Sequence, residues 1–206
     1  MIHPRAGVAF SLAAEGDLRN DQSARERFST ALEIPKEWAT LRQVHGGRVV
    51  EATVAGDLGE ADAVFTRQSM LPIAVFTADC AGVVLGGEDG MGLAHAGWRG
   101  AVAGVVPALA TAMIEAGVVP RWAVIGPLIG SCCFEVGPEV ADLFGGNVAT
   151  TSWGTVSVDL GGLLRAQLDS LETWQAGLCT FHDRSCFSHR RNAAAARMAS
   201  LAWLPA

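Results

Sequence analysis

Short apolar segments separated by glycine-rich or polar turns run along most of the chain, a pattern typical of strands that follow one another directly. The turn 86–90 contains three glycines and two acidic residues, and it predicts a hairpin between the apolar segments on either side. The predicted strands are 6–14, 39–44, 48–54, 61–66, 71–76, 83–85, 92–94, 122–125 and 177–180.

Fewer segments have helical spacing. In the region 17–34, Phe28, Ala31 and Leu32 recur at i, i+3 and i+4, and Pro35 ends the element. The apolar segment 101–116 predicts a buried helix that stops at Gly117, and Pro107 predicts a kink or a late start within it. The remaining predicted helices are 138–144, 160–171 and 193–204.

The order of these elements indicates the fold class. Strands outnumber helices and often succeed one another without an intervening helix, which differs from strict βαβ alternation. We therefore expect an α+β protein with mixed β-sheets flanked by helices. At 206 residues, with no repeat or linker, the chain is expected to form a single domain over residues 1–206.

Composition and charge exclude several classes of protein. Half of the residues are hydrophobic and 17% are charged, so the chain can bury a large core and is not disordered. The net charge of -6 argues against a protein that binds nucleic acid along its phosphates. No apolar run approaches the ~20 residues that span a bilayer, so no membrane partner is expected.

Cysteine usage and the first apolar segment bear on the cell compartment. The five cysteines form an odd set without a regular framework, which favours reduced thiols. Residues 6–14 are short and interrupted, and we interpret them as a first strand rather than a signal peptide. A cytoplasmic location is therefore expected, whereas the sequence indicates no particular oligomeric state.

Three side chains that can bind soft metals lie at the ends of predicted strands. His45, Cys80 and His95 each have glycine or alanine neighbours, which allow the backbone to approach a ligand closely. Two imidazoles and a thiolate fill three positions of a tetrahedral Zn²⁺ site, and an open fourth position is typical of catalysis. In an alternative, Cys80 is a nucleophile, His95 its base and Asp79 the residue that orients the base.

Other candidates have local explanations as well as functional ones. Asp79 could cap backbone amides beside its turn. Arg99 lies near an expected helix start, where it could bind an anion or pair with an acidic side chain. Arg25, taken from its local pattern alone, fits the solvated face of the first helix.

The remaining cysteines are interpreted structurally. Cys132 and Cys133 are adjacent, which is awkward for a disulfide, so they are expected to be small packing residues. A second zinc site could be considered for four residues near the C-terminus, namely Cys179, His182, Cys186 and His189. Their spacing fits no standard zinc finger and favours a loop with incidental polar residues.

A series of motifs in fixed order closely resembles the YfiH-type laccase-domain family, whose members are described as purine nucleoside phosphorylases and as polyphenol oxidases. The resemblance covers nearly the whole chain, and its departures fall at 9–17, 131–136, 188–191 and 193–196. The motifs are QVHG at 43–46, ADA at 61–63, TADC at 77–80, HAGWRG at 95–100, IGP at 125–127, IGSCCFEVG at 129–137 and FSHRR at 187–191.

The resemblance implies an α+β fold and identifies site residues. The family's metal ligands correspond to His45, Cys80 and His95, and Zn²⁺ is expected in preference to Cu²⁺. A family arginine on the helix before QVHG matches Arg25 best, which implies a phosphate or substrate contact. Gln43 and Arg99 join it as expected substrate or phosphate contacts.

The resemblance also implies the function: metal-dependent phosphorolysis of adenosine or inosine, with adenosine deamination as a second activity in which Asp79 moves protons. The partners are then a small-molecule nucleoside and phosphate. Three alternatives remain open, namely a Cys80–His95 hydrolase or amidase acting on peptidoglycan precursors, a copper-dependent polyphenol oxidase, and a non-catalytic purine-binding or metal-binding protein. The oxidase is disfavoured because one His2Cys set lacks the extra histidines of a multicopper centre.

Overall fold

A computed structural model describes all 206 residues as two six-stranded sheets, a two-stranded hairpin and six α-helices. The strands are β1 (Ile2–Arg5), β2 (Val8–Phe10), β3 (Ala39–Arg42), β4 (Val49–Glu51), β5 (Gly56–Glu60), β6 (Ala63–Thr66), β7 (Ile73–Thr77), β8 (Ala81–Gly86), β9 (Met91–Ala96), β10 (Trp122–Ile125), β11 (Val148–Thr150), β12 (Val156–Val158), β13 (Glu172–Gln175) and β14 (Met198–Ala202). The helices are α1 (Gln22–Leu32), α2 (Trp98–Val102), α3 (Val105–Glu115), α4 (Pro138–Ala141), α5 (Leu160–Ala166) and α6 (His189–Asn192).

Both large sheets mix parallel and antiparallel pairs. The first has the order β1-β2-β14-β7-β3-β5, and the second has the order β13-β10-β8-β9-β6-β4. In the first sheet, β7 is antiparallel to β14 and parallel to β3. In the second sheet, β10 is antiparallel to β8 and parallel to β13. The predicted α+β class with mixed sheets and flanking helices is confirmed.

The two sheets pack face to face, with helices on their outer faces. One core cluster joins Val75 of β7 to Val84 of β8 and Leu93 of β9, so it lies between the sheets. A second cluster places Val83 and Leu85 against α3, because successive side chains of a strand point to opposite faces. A third cluster packs α1 against the outer face of the first sheet.

The last predicted helix, 193–204, is wrong. The consecutive alanines 193–196 give that segment helical propensity, but Met198–Ala202 pairs with β2 on one side and β7 on the other and is fully buried. Sheet pairing with distant strands therefore overrides a local preference. The predicted strand 177–180 is reduced to one bridge between Leu128 and Cys179, and β13 takes the edge position beside β10.

Several element boundaries also differ from the prediction. The segment 101–116 forms two helices, because Gly104 adopts a left-handed conformation with φ of 77°, and Pro107 lies in the first turn of α3. The segment 6–14 contributes β2 and a short 3-10 helix, and 160–171 is helical only to Ala166. The strand β5 and the hairpin of β11 and β12 were not predicted, since their few apolar residues are interrupted by polar residues or glycine.

The connection between β7 and β8 positions the candidate site. Strand β7 belongs to the first sheet and β8 to the second, so the turn 78–80 crosses from one sheet to the other. Cys80 therefore lies where the two sheets meet, beside the end of β9. The helices are all too short or too polar for a membrane-spanning segment.

Candidate active site

Three parts of the chain bring their metal-binding atoms together at this junction. His45 comes from the loop after β3, Cys80 from the turn before β8 and His95 from the end of β9. Their ligand atoms lie within 4.8 Å of one another, and Cys80 Sγ is 3.9 Å from His45 Nε2. The structure thus joins the three residues that the sequence analysis selected as metal ligands.

Asp62, which the sequence analysis did not select, holds two of these ligands in place. Its fully buried carboxylate lies 2.8 Å from His95 Nδ1 and accepts the backbone N–H groups of Val44, His45 and Gly46 at 2.7–3.2 Å. His45 adopts a left-handed conformation with φ of 63°, which these bonds stabilise. With Nδ1 engaged, His95 has its Nε2 available to a metal, an arrangement typical of histidine ligands backed by a carboxylate.

The electrostatics of the cluster favour a thiolate. Burial alone would raise the pKa of Cys80, but hydrogen bonds from His45 and His95 and the positive charge of His95 outweigh it and lower that pKa to about 6. Burial alone would lower the pKa of His95, but Asp62 and Cys80 raise it to about 9. Cys80 is therefore ionised at neutral pH without a metal, and the thiolate is the form that binds metal ions.

The donor set and the space around it fit a soft divalent ion. One sulfur and two imidazoles are the ligand types that zinc and copper prefer. A Cβ atom at Gly97 would lie 2.9 Å from both Cys80 Sγ and His45 Cδ2, so any larger residue would push the ligands apart. Glycine at this position therefore preserves the close approach of the three donors.

A pocket of about 320 Å³ opens beside the three donors and lies within the usual range for small-molecule sites. Phe76, Trp98 and Phe134 contribute aromatic surface to its walls. Four arginines also line it, namely Arg19, Arg99, Arg190 and Arg197. The pocket thus combines apolar faces with positive charge, which suits a ligand that has an aromatic part and an anionic part.

The four arginines differ in whether their guanidinium groups make hydrogen bonds or ion pairs within the chain. Arg190 donates to the carbonyl of Glu135 and Arg197 donates to carbonyls of the segment 194–196. The guanidinium groups of Arg19 and Arg99 make no hydrogen bond or ion pair within the chain. Arg99 lies in α2, stacked 4.3 Å from the Trp98 ring, and the alternative of an acidic partner is therefore wrong.

Gln43 and Asp79 lie on the pocket wall, and both make hydrogen bonds there. The Gln43 amide exchanges two bonds of 2.9 Å with the backbone of Phe76. Asp79 accepts the Thr180 hydroxyl at 2.6 Å and the backbone N–H of Arg190 at 2.7 Å. Asp79 therefore caps a backbone amide, as one explanation predicted, but the amide belongs to the distant helix α6 and not to its own turn. Through these bonds Gln43 and Asp79 both fix the position of the pocket wall.

Arg25 requires a correction. It does not line the pocket, because its guanidinium turns back to the carbonyls of Leu18, at 2.5 Å, and Arg19, and lies over the Phe76 ring. A group so engaged is not available to hold phosphate. Arg25 instead fixes the backbone of the segment that carries Arg19, a pocket residue that the sequence analysis did not select.

We expect Arg25→Ala to lower stability rather than catalysis. Loss of its hydrogen bonds to two carbonyls costs about 1–3 kcal/mol, and for a protein of this size each kcal/mol lowers Tm by roughly 2–4 °C. Thermal unfolding measures the effect, with Arg27→Ala on the exposed face of the same helix as the control. An unchanged Tm together with a loss of inorganic phosphate binding would show that Arg25 contacts phosphate, as the sequence motifs imply.

The fold and the site together define a mixed-sheet α+β protein with a cysteine–histidine cluster that could hold a metal ion at the junction of two sheets. The family described as multi-copper polyphenol oxidoreductase laccase matches residues 4–205. The chain belongs to this family, and the resemblance stated from the sequence motifs is confirmed.

Individual relatives agree with this assignment. Purine nucleoside phosphorylase ORF3 of Streptomyces griseus is 38% identical over 198 aligned positions, and the match covers 87% of this chain and 80% of the relative. The crystal structure of YlmD from Geobacillus stearothermophilus is similar with a TM-score of 0.85 and 25% identity, covering 100% of this chain and 94% of that one. The hypothetical protein YfiH of Bacillus licheniformis has a TM-score of 0.81 and 27% identity, with coverage of 89% and 80%.

Proposed function

We propose that this protein is a metal-dependent purine nucleoside phosphorylase that acts on adenosine or inosine. The observation that carries the proposal is one pocket in which sulfur and imidazole donors, aromatic faces and two unpaired guanidinium groups converge. The name of the Streptomyces griseus relative, purine nucleoside phosphorylase, supports the same activity.

Within this proposal His45, Cys80 and His95 hold the metal, and Zn²⁺ is the ion expected from two imidazoles and a thiolate. A bound divalent ion would supply Lewis-acid polarisation of an oxygen atom in the pocket. Asp62 orients His95 and the His45 loop, so it acts as a positioning residue rather than as a ligand.

The phosphate is assigned to Arg99 and Arg19, whose guanidinium groups have no partner in the chain. A planar guanidinium group can bind two phosphate oxygens at once. Its positive charge also offsets the negative charge of the phosphate that acts as the nucleophile. In the reaction a phosphate oxygen bonds to C1′ of the ribose while the bond from C1′ to the purine nitrogen breaks. The purine leaves with the electron pair and takes up a proton.

The purine base is assigned to the aromatic walls formed by Phe76 and Phe134. We extend the proposal to adenosine deamination at the same site, with Asp79 moving protons from its position on the pocket wall. Gln43 contributes by holding Phe76 in place through its two backbone hydrogen bonds.

Product analysis with adenosine and inosine, each with and without phosphate, tests the proposed function. We expect ribose 1-phosphate and a free purine base only when phosphate is present. Conversion of adenosine to inosine without phosphate would support the deaminase extension separately. If neither nucleoside is converted by protein that contains its metal, the proposed function is wrong.

Arg99→Ala is expected to lower phosphorolysis by about 10²-fold, the scale for losing one preorganised contact to developing charge. Tm should fall by no more than about 4 °C, since the exposed guanidinium makes no hydrogen bond or ion pair and loses only its stacking on Trp98, worth about 0.5–1 kcal/mol. Adenosine deamination, which uses no phosphate, should fall much less, and Arg99→Lys should rescue only partly because lysine lacks the planar fork. Arg42→Ala, which removes an exposed arginine outside the pocket, is the control, and equal rates for both variants would contradict the assignment.

A second function, a cysteine hydrolase or amidase, is favoured by one observation. Cys80, His95 and Asp62 form a chain of nucleophile, base and orienting carboxylate, with Asp62 in the position that the sequence analysis gave to Asp79. Chelation distinguishes the two functions, because a hydrolase of this kind gains from metal removal whereas metal-dependent phosphorolysis is lost.

Phenol oxidation with copper is a weaker alternative. The family description names copper and laccase activity, yet the converging donors are two imidazoles and one thiolate. The one other histidine on the pocket wall, His189, does not join them, so the additional histidine ligands of a multicopper centre are not assembled here. Oxygen consumption with a phenol substrate after loading with Cu²⁺ tests this alternative in the same preparation.

A further inference from the structure

A second group of potential metal ligands lies apart from the candidate active site. Cys132 and Cys133 come from the turn that follows β10, and Cys179 and His182 come from the segment between β13 and α6. The four ligand atoms lie within 4.8 Å of one another. None of these four residues lines the pocket beside Cys80.

The measured distances are close to those between the ligands of a tetrahedral site. Cys132 Sγ is 3.5 Å from Cys133 Sγ. The His182 ring lies against this pair, with Nδ1 3.8 Å from Cys132 Sγ and Nε2 3.3 Å from Cys133 Sγ, so either nitrogen could serve as the single histidine ligand. Ligands of a tetrahedral zinc ion, with bonds of about 2.0 to 2.3 Å, are separated by roughly 3.5 to 3.8 Å. A disulfide would instead need about 2.05 Å between two sulfur atoms.

The surroundings are built for sulfur ligands held close together. The backbone N–H of Gly130 donates to Cys179 Sγ at 3.2 Å. A Cβ atom at Gly130 would lie 3.2 Å from Cys132 Sγ and 3.3 Å from Cys179 Cβ, so a larger residue would require the two segments to move apart by a few tenths of an ångström.

These contacts change two interpretations from the sequence. Cys133 is fully buried in the core, as expected of a packing residue, but Cys132 and Cys133 also face Cys179 and His182. The set considered for a second zinc site combined Cys179 and His182 with Cys186 and His189, which do not join the group. Cys132 and Cys133 take the places of Cys186 and His189 in the group. Because the adjacent cysteines lie far from Cys179 and His182 in the sequence, residue spacing did not identify this ligand set.

We propose that Cys132, Cys133, Cys179 and His182 bind a second Zn²⁺ ion in a closed, four-ligand structural site. Four protein ligands leave no open position, which is typical of structural rather than catalytic zinc. This proposal does not depend on the proposed phosphorylase activity, because none of the four ligands is assigned to substrate or to the first metal.

The second ion would hold one wall of the candidate active site. Thr180, between two of the ligands, donates its hydroxyl to Asp79 at 2.6 Å, and Phe134 follows Cys133 into the pocket wall. The Arg191 guanidinium binds the carbonyls of Thr180 and Phe181 at 2.8 and 3.0 Å. A metal that ties the two segments together therefore stabilises Asp79 and Phe134 in their positions.

Metal analysis of the purified chain and of single variants tests this proposal. We expect two zinc ions per chain in the parent protein, one in Cys80→Ser and one in His182→Ala. His182 is exposed, so its replacement should leave the fold intact even if a cysteine variant does not fold. Cys186→Ser removes a buried thiol outside the group and should keep two ions.

A cobalt-substituted Cys80→Ser protein gives a second readout that does not depend on activity. Its only remaining cysteine–histidine group contains three thiols, so we expect sulfur-to-cobalt charge-transfer absorption, lost when His182→Ala and Cys179→Ser are added. A chelator should lower the Tm of Cys80→Ser but not that of the variant without this group. One ion per parent chain, or an unchanged ion content in His182→Ala, would overturn the proposal.

Discussion

Cys80→Ser is expected to remove one metal ion per chain and to lower phosphorolysis by roughly 10³-fold. The sulfur lies 3.9 Å from His45 Nε2 and completes the only donor set in the pocket. Serine has a similar shape but supplies an oxygen that is not ionised at neutral pH. Lewis-acid assistance is worth several kcal/mol, and each 1.36 kcal/mol corresponds to tenfold in rate.

Metal content and phosphorolysis rate are measured together on the same preparation. Cys186→Ser is the matched control, because Cys186 is a buried free thiol away from both cysteine–histidine groups. We expect it to keep its metal and its rate, whatever it does to stability. A Cys80→Ser protein that keeps both would remove Cys80 from the ligand set.

Asp62→Asn is expected to have the largest effect on stability. The carboxylate is fully buried and accepts three backbone N–H groups of the His45 loop as well as His95. An amide presents an NH2 group to these donors and cannot balance the charge of His95. Breaking a buried pair costs about 3–5 kcal/mol, which lowers Tm by roughly 6–20 °C.

The same substitution should weaken metal binding by about 10–100-fold, the usual effect of removing a carboxylate behind a histidine ligand. Asp57→Asn provides the control, since Asp57 is exposed and caps only the local N–H of Gly59. Thermal unfolding and a zinc titration decide the outcome. Parent values of Tm and of zinc affinity in Asp62→Asn would show that Asp62 does not position the ligands.

Site residues could be identified from the sequence where a reactive or metal-binding side chain stands in a short, recognisable motif. His45, Cys80 and His95 have metal-binding side chains beside glycine or alanine in motifs of fixed order. Asp62 also lies in such a motif, but its function depends on the backbone of residues 44–46, which only the folded chain brings to it. An aspartate between alanines at the start of a buried strand is the feature that could have identified it.

Other parts of the structure depend on contacts between distant residues. The alanine-rich C-terminal segment favours a helix by itself, yet β14 gains two strand partners and complete burial. Arg25 lies on the predicted helix, but sequence does not give the direction of its guanidinium. Cys132 and His182 are 50 positions apart, so the second group of ligands could not be inferred from spacing.

Metal removal followed by restoration shows whether an ion held by His45, Cys80 and His95 supports phosphorolysis in this pocket. Chelated protein is assayed with inosine and phosphate during a titration with Zn²⁺, beside His45→Ala treated identically, with Cu²⁺ in a parallel series. We expect phosphorolysis to be lost on chelation and regained with zinc in the parent protein but not in His45→Ala. Phosphorolysis that persists at the parent rate without metal would contradict this expectation.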